Sequence, residues 1–331
     1  MIPVPIMTVR STVLPAYARR GIVFVSIHYR VSIFGYLTHP DIREKYGRDG
    51  NFGLDDQFTA LQWIKANIAD YKGNANNITV MGQSAGAISI QYLSLSPKCQ
   101  GLYQRAIMLS GGGMFPKFAL PRPSENTHEY WEDLMATAGV STLDELKVLD
   151  IKTIFTAIEE LKSRRKDNTY NTMPVVDGYL ISAPVDTLID HPLPIDYMLG
   201  YTNNDMYAII MGHISHKYAK TNHAYLYYFD IDAPGNDHNG AFHSSDLRYV
   251  FGTLNASHRP YDAEDTKVSE AMISYIVAFA KTGDPNTDHL PTWKPAGRHA
   301  LHIKKPASAI AMGPTNWFKL LHNTLTKGDP K

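Results

Sequence analysis

The sequence contains a single cysteine, Cys99, and it lacks both long apolar runs and an excess of either charge. One cysteine excludes an intrachain disulfide and favours a reducing compartment over an oxidising one. No apolar run approaches the roughly 20 residues that span a bilayer, and the N-terminal residues do not form a convincing signal peptide. Acidic and basic residues number 32 each, so no electrostatic argument favours a nucleic acid or a membrane surface as partner. We therefore expect a cytoplasmic protein, although a longer parent chain could still be secreted.

What the sequence does contain is an alternation of strand-like and helix-like segments. With 331 residues and 44% hydrophobic content, it can form one large α/β domain. Apolar β-branched runs predict buried strands, and apolar residues spaced three or four apart predict helices. In chain order these segments are a strand at Ile22–Tyr29, a helix at Leu54–Tyr71, a strand at Ile78–Val80, a helix at Ala87–Leu95 and a strand at Ala106–Ser110.

The second half of the chain continues this pattern after a helical insertion at residues 121–190. The insertion separates two parts of the sheet, and we expect it to cover the active site like a cap. The remaining predicted elements are strands at Ile195–Gly200, Ala224–Phe229 and Leu301–Ile303, and helices at Glu264–Lys281 and Asn316–Thr324. Alternation of this kind predicts a doubly wound, mostly parallel α/β sheet in a single domain.

The segment Asn77–Ala87 carries the clearest chemical signal in the chain. Within it, Gly82-Gln83-Ser84-Ala85-Gly86 follows a predicted strand and precedes a predicted helix. G-x-S-x-G in that context predicts a nucleophile elbow, with the Ser84 hydroxyl exposed at the edge of the sheet. The two glycines are expected because side chains there would collide with the flanking strand and helix. The N–H of Ala85 is then expected to face a bound acyl oxygen.

A serine nucleophile requires a general base, and the base requires a carboxylate to orient it. In sheet hydrolases these follow the serine in the order acid, then histidine. Asp205 directly follows a predicted strand and His243 lies in a later loop, so both have suitable positions. Two alternatives remain: Asp205 as a loop-capping residue, and His243 as one structural histidine among 14. Other acids are weaker candidates because they follow the histidine, namely Asp262, Glu264 and Asp265.

The combination of these segments resembles the type-B carboxylesterase and cholinesterase family. The resemblance rests on GNFGLDDQFTALQWIKANIADYKGNANNITVMGQSAGA, GLYQRAIMLSG, GYTNNDM and AFHSSDLRYVFG. It implies an α/β-hydrolase fold that hydrolyses small carboxylic esters through an acyl-enzyme intermediate, without a cofactor. It also implies Ser84 as nucleophile, His243 as base and Asp205 as acid, where the family usually has glutamate.

Two further residues are expected to support this triad without contacting substrate. Ser110, at a strand end that matches the family, is expected to donate a hydrogen bond to the acid. Gln83, which precedes the nucleophile, is expected to support the triad from beside it. No metal is expected, because Asp230, Asp232 and Asp237 match the spacing of a calcium loop only loosely.

Two departures from the family leave other functions open. The His-Gly-Gly-Gly type loop that supplies oxyanion-hole donors is absent, and Gly111–Gly113 follow the elbow instead of preceding it. Only Met206–His223 separate the acid from the next strand. We therefore expect a fold without its first strands, whose open sheet edge favours a homodimer or aggregation. The alternative function is a catalytically impaired or silent esterase-like binding protein, and a peptidase or thioesterase is a third.

Overall fold

The structure, a computed structural model, describes residues 14–114, 119–165, 171–206, 208–235, 237–297 and 299–314. A sheet of six strands forms its centre, and the strands lie side by side in the order in which they occur in the chain. The first five are parallel and the sixth is antiparallel to the fifth. They are β1 Thr79–Gln83, β2 Arg105–Leu109, β3 Asp196–Thr202, β4 Ala224–Phe229, β5 His299–Ile303 and β6 Ala311–Pro314.

Helices connect the strands and cover both faces of the sheet. Before β2 they are α1 Leu14–Ala18, α2 Ile33–Tyr36, α3 Pro40–Tyr46, α4 Phe52–Asn67 and α5 Ala85–Ser94. Between β2 and β3 they are α6 Glu125–Thr137, α7 Leu143–Val148, α8 Ile151–Arg164 and α9 Val185–Leu188. After β3 they are α10 Ala208–Tyr218, α11 Leu247–Val250 and α12 Ala263–Thr282.

The alternation of side chains along the strands divides the core into two layers. On one face, Met108 of β2 and Leu199 of β3 pack with apolar residues of α4, α5 and α10. On the other face, Leu109 of β2 and Met198 of β3 pack with α12. Successive strand residues point to opposite faces, so a strand covered by helices on both sides must be apolar throughout. All six residues of β4, AYLYYF, are buried, as that rule requires.

The insertion between β2 and β3 has a hydrophobic cluster of its own. Trp131 and Leu134 of α6 pack there with Ile154 and Leu161 of α8. Helix α7 begins with a capping box, in which Thr142 accepts from the Glu145 N–H and the Glu145 carboxylate accepts from the Thr142 N–H. The predicted helical character of this segment agrees with the structure, while its role as a cap over the site stays a prediction.

The predicted strand at Ile22–Tyr29 is wrong. This segment has no regular secondary structure, and the side chains of Val23, Val25 and Ile27 are exposed. Ile22 and Phe24 rest against the core layer that contains α12. An apolar β-branched run becomes a strand only where another strand satisfies its backbone N–H and C=O groups. Among the described residues, no strand of the sheet pairs with the 22–29 segment, and the neighbouring edge strand β1 pairs with β2 alone.

Other predicted elements lie within a few residues of the observed ones. The apolar residues that give the predicted helix at 54–71 its spacing are all buried in α4 and the short 3-10 turn that follows it, namely Leu54, Phe58, Leu61, Ile64 and Ile68. Strand β6 and helix α10 were not predicted, and the predicted helix at 316–324 lies outside the described residues.

Cys99 is buried, and burial raises the pKa of its thiol to about 12. Within the described part of the chain, no helix has the length and apolar character needed to cross a membrane.

Candidate active site

Ser84 occupies a sharp turn between β1 and α5. Its backbone lies at φ 53° and ψ −120°, a conformation that side-chain-bearing residues rarely adopt. The Ser84 N–H donates to the Leu109 carbonyl of β2 at 2.9 Å, and its carbonyl accepts the first hydrogen bond of α5 from Ile88. The serine is therefore held by the sheet on one side and by the helix on the other, which is the arrangement expected of a nucleophile elbow.

Glycines pack closely around this turn, although not all of those expected from the sequence are required by contact. A β-carbon on Gly82 would lie 2.6 Å from the carbonyl carbon of Gly86. A β-carbon on Gly111, which follows β2, would lie 2.3 Å from the Ser84 carbonyl oxygen. A β-carbon on Gly86 would meet nothing within 4 Å. The expected collision is thus correct for Gly82 and wrong for Gly86. Gly111 is a packing requirement that the motif alone did not indicate.

His243 and Asp205 meet Ser84 from two loops at the same edge of the sheet. His243 Nε2 lies 2.9 Å from Ser84 Oγ, and His243 Nδ1 lies 3.1 Å from Asp205 Oδ2. The Asp205 loop leaves β3 and the His243 loop leaves β4, and the two are joined by a hydrogen bond from the Asn204 N–H to the Ala241 carbonyl. The structure thus brings together the three residues that the sequence analysis selected as a triad.

The shorter acid reaches the imidazole despite lacking one methylene relative to glutamate. The Asp205 side chain is fully buried, and its Oδ2 also accepts a 3.3 Å hydrogen bond from the Thr202 hydroxyl. Thr202 is the last residue of β3, only three positions before the acid. A carboxylate held between a strand end and an imidazole in this way fixes the Nδ1–H tautomer of that imidazole. The Nε2 lone pair is then directed to the serine.

Burial tends to lower the pKa of His243, but it is outweighed. The hydrogen bond to Asp205 and the negative charges of Asp205 and Asp246 raise the pKa of His243 above its ordinary value of 6.5. The side chain is 38% exposed, so it is open to solvent at one edge while its Nδ1 side faces the protein. An imidazole with a raised pKa is a stronger base for a serine hydroxyl.

Asp246, three residues after His243, is a buried acid that the sequence analysis did not single out. Its carboxyl group is fully buried, and Oδ2 accepts a 2.5 Å hydrogen bond from the Tyr227 hydroxyl of β4. Burial, together with the charge of Asp205, raises the pKa of Asp246 to about 6. Its Oδ1 has no hydrogen-bond partner among the described residues. In the sequence, Asp246 was visible only as the acidic residue within AFHSSDLRYVFG, a segment used for the family resemblance.

Of the two supporting residues expected from the sequence, one contacts the triad and the other does not contact its acid. Gln83 Nε2 lies 3.2 Å from His243 Nε2 and donates to Ser244 Oγ at 2.8 Å. Ser110 Oγ is buried with no hydrogen-bond partner in the described part of the chain, so the expected bond to Asp205 is not formed. The Ser110 backbone has a positive φ of 47°, which is uncommon for a residue other than glycine.

The predicted oxyanion donor, the Ala85 N–H, lies at the start of the helix that follows Ser84. Ala85 is the first residue of α5 and is exposed. Backbone N–H groups in the first turn of a helix lack partners within that helix and carry partial positive charge. Gly113, by contrast, donates its N–H to the Gln91 side chain. That bond gives the glycine run a packing role behind the elbow.

Metal-binding constellations are absent from the described residues. No three side chains among His, Cys, Asp and Glu there converge as a metal site would require. Two of the three loosely calcium-like aspartates have other partners, since Asp237 forms an ion pair with Arg259 and Asp230 accepts from Asn203.

A comparison with protein families decides the assignment. The model of the carboxylesterase family matches residues 11–220 and 209–314. The chain belongs to the carboxylesterase family. The resemblance noted from the sequence is confirmed at the level of the family.

Individual carboxylesterase relatives are identical to the chain at somewhat more than a quarter of the aligned positions. Bile salt-activated lipase of Rattus norvegicus is 29% identical over 387 aligned positions, covering 89% of this chain and 62% of the rat protein. Para-nitrobenzyl esterase of Bacillus subtilis (strain 168) is 26% identical over 330 positions, covering 82% of this chain and 66% of that protein. The chain thus spans less than two thirds of the length of these relatives.

Solved carboxylesterase structures support the fold. A thermophilic PNB esterase superposes with a TM-score of 0.81 at 22% identity, covering 93% of this chain and 75% of that one. A Geobacillus stearothermophilus carboxylesterase superposes with a TM-score of 0.75 at 25% identity, covering 93% and 76%. The predicted α/β-hydrolase fold is therefore confirmed.

Proposed function

We propose that the chain is a serine carboxylic-ester hydrolase that acts through an acyl-enzyme intermediate. The observation that carries the proposal is the hydrogen-bonded series from Ser84 Oγ through His243 to Asp205, with distances of 2.9 and 3.1 Å. Membership of the carboxylesterase family supports the same chemistry. The substrates are small-molecule carboxylic esters, and the residues of the triad need no metal or cofactor for this reaction.

In the acylation half, His243 Nε2 takes the proton of Ser84 Oγ as the oxygen bonds to the ester carbonyl carbon. Asp205 stabilises the imidazolium that results. Negative charge develops on the former carbonyl oxygen, where the N–H of Ala85 donates a hydrogen bond. The intermediate collapses when the C–O bond to the alcohol breaks and the alkoxide takes the proton from His243 Nε2, leaving Ser84 acylated.

In the deacylation half, a water molecule takes the place of the departed alcohol. His243 removes one of its protons while the water oxygen bonds to the acyl carbon. The second tetrahedral intermediate collapses with cleavage of the bond to Ser84 Oγ, which recovers its proton from His243. The carboxylic acid leaves and the resting state returns.

The alternative is an esterase-like binding protein with impaired or no turnover. The absence of a His-Gly-Gly-Gly type loop from the sequence favours it. Loss of one oxyanion-hole donor typically lowers the rate by about 10² to 10³, so we expect turnover well below that of a site with a complete set of donors. A homodimer, expected from the open sheet edge, remains a prediction, as does the absence of a nucleic-acid partner.

Hydrolysis of p-nitrophenyl acetate and butyrate by the purified chain tests the proposal. Ser84→Ala should abolish turnover, whereas Ser163→Ala, which changes an exposed serine of α8, should leave it unchanged. A fluorophosphonate probe should add its mass to a peptide that contains Ser84, and only in proteins that retain this serine. Equal background rates for wild type and Ser84→Ala, with no labelling, would establish the binding-protein alternative instead.

A further inference from the structure

The side-chain nitrogen of Gln83 lies between two groups of the neighbouring loop. It is 3.2 Å from His243 Nε2 and 2.8 Å from Ser244 Oγ. Gln83 is the last residue of β1 and immediately precedes the nucleophile. The nitrogen of His243 that faces Ser84 therefore also faces an amide, on the side opposite to Asp205.

In the resting state, Gln83 acts as a donor to both groups. With the Nδ1–H of His243 directed to Asp205, Nε2 carries a lone pair. A primary amide has two N–H groups, one for that lone pair and one for the Ser244 oxygen. The Ser84 hydroxyl, 2.9 Å away, shares the same lone pair.

Once His243 has accepted the serine proton, the same arrangement becomes unfavourable. Nε2 is then a donor, and the Gln83 nitrogen opposite it is a donor as well. Rotation of the amide by half a turn places Oε1 where the nitrogen was. An amide oxygen has two lone pairs, one for the imidazolium Nε2–H and one for the Ser244 hydroxyl, which is able to donate as well as accept. The imidazolium Nε2–H and the Ser244 hydroxyl then each have an acceptor.

We propose that Gln83 is a positioning residue whose amide reverses as the proton moves between Ser84 and His243, so that the imidazole keeps a partner in both states. This proposal rests on the proposed function only in assuming that the proton on His243 comes from Ser84 during ester hydrolysis. A primary amide is neutral and can present either its NH₂ donor or its carbonyl acceptor by rotating. An ionised carboxylate only accepts, and an apolar side chain does neither.

Ser244 is held in place for this interaction at a conformational cost. Its φ of 75° lies in the left-handed region, which residues other than glycine, asparagine and aspartate seldom occupy. The backbone of the loop thus turns sharply just after His243, and this turn brings the Ser244 hydroxyl within 2.8 Å of the amide. Local strain of this kind is typical of functional sites.

Two carboxylates already act on His243, so the group that faces its Nε2 need not carry a charge. Asp205 faces it from the loop after β3, and Asp246 acts on it from the start of α11, while Tyr227 of β4 contacts Asp246. Both carboxylates favour the imidazolium. Gln83 on β1 adds no charge. It can therefore accept a hydrogen bond from the protonated ring without raising the pKa of His243 any further.

Titration of the His243 imidazole by ¹⁵N NMR tests the proposal without requiring turnover. The signal is assigned by its loss in His243→Gln. With Gln83→Glu, a fixed acceptor carrying charge, the midpoint should rise by roughly 0.5 to 1 pH unit, since the site is partly exposed. With Gln83→Met, which removes a partner from both states, the midpoint should stay within about 0.3 units of wild type. If the His243 midpoint instead rises by about one pH unit in Gln83→Met, the wild-type amide must donate to Nε2 in both protonation states. That result would overturn the proposal.

The amide itself provides the second measurement. The Gln83 side-chain NH₂ signals should shift with the same midpoint as the imidazole in wild type, and should be independent of pH across that range in His243→Gln. Signals that do not follow the imidazole would overturn the proposal. In ester hydrolysis, Gln83→Met should lower kcat several-fold with little change in KM. If the wild type shows no turnover, the proposed function fails, while the two NMR results still decide the role of Gln83.

Discussion

The Tyr227 hydroxyl donates a 2.5 Å hydrogen bond to Asp246, a carboxyl group with no exposed surface. The bond stabilises the ionised form, but burial acts more strongly and raises the pKa of Asp246 to about 6, from an ordinary value of 3.8. The folded state therefore holds this proton more tightly than the unfolded chain does. The resulting penalty on folding is absent below about pH 4, grows as pH rises and is complete above about pH 6.

Asp246→Asn removes this titration while its amide oxygen can still accept from Tyr227. We expect the stability of the variant relative to wild type to increase from pH 4.5 to pH 7.5, by about 2 kcal/mol. Thermal or urea unfolding across this range measures the difference. Tyr227→Phe is the matched control, since losing the donor should enlarge the penalty in wild-type Asp246. A pH-independent difference between Asp246→Asn and wild type would contradict the assignment.

The raised pKa of His243 predicts the pH dependence of ester hydrolysis. The imidazole must be neutral to accept the serine proton, so kcat/KM should rise with pH as His243 loses its proton. Because Asp205 and Asp246 together raise the pKa, the midpoint of this rise should lie above 6.5. Asp246→Asn removes one of these attractions and should move the midpoint to lower pH. A midpoint in wild type below 6.5 would show that burial, not the carboxylates, dominates.

Asp205→Asn tests the role of the acid. The amide fits the same space, but its NH₂ group can face Nδ1 and stabilise the wrong tautomer, which removes the lone pair from the Ser84 side. We expect kcat to fall by roughly 10³ to 10⁴, with KM changed far less. Asp230→Asn, a change to an aspartate outside the triad, is the control. Turnover near that of wild type in Asp205→Asn would transfer the role to another acid.

The elbow glycines offer a matched pair of substitutions. Gly82→Ala places a methyl group 2.6 Å from the backbone of Gly86, so the strand and helix must separate, at a cost of about 1 to 3 kcal/mol and with loss of the Ser84–His243 alignment. Gly86→Ala meets no atom within 4 Å and replaces a helical glycine. It should therefore fold and stabilise α5 by about 0.5 to 1 kcal/mol. Unfolding midpoints and hydrolysis rates of both variants test this difference. Equal losses of stability and activity in the two variants would contradict the prediction.

Much of the fold was predictable because its strands are buried on both faces. Such strands read as continuous apolar runs, and β4 matches its prediction at both ends. The same rule failed at Ile22–Tyr29, where the run is equally apolar. Apolar character describes how well a segment suits a sheet, whereas strand formation requires a neighbour with free backbone groups. That neighbour is a property of the whole chain and is not visible within the segment.

In the candidate site, too, some features were predictable from the sequence and others depend on the folded structure. Ser84, His243 and Asp205 were found because chain order and motif restrict each to a strand end or loop. The orientation of Ser110 and the burial of Asp246 depend on backbone angles and on packing between distant elements, which spacing alone does not encode. The sequence also could not show that Gly86 has free space beside it, because this depends on how α5 leaves the turn.

Strand β1 has pairing on one side only within the described structure, and each of its five residues is half-buried. The strand that leads into Ser84 is thus supported less than β2, β3 or β4. Amide hydrogens of β1 should exchange with deuterated solvent through local opening, at a lower free energy than those of the central strands. Each opening would move the serine away from His243 while the rest of the sheet stays folded. On heating, esterase activity should therefore decline before the bulk of the sheet unfolds.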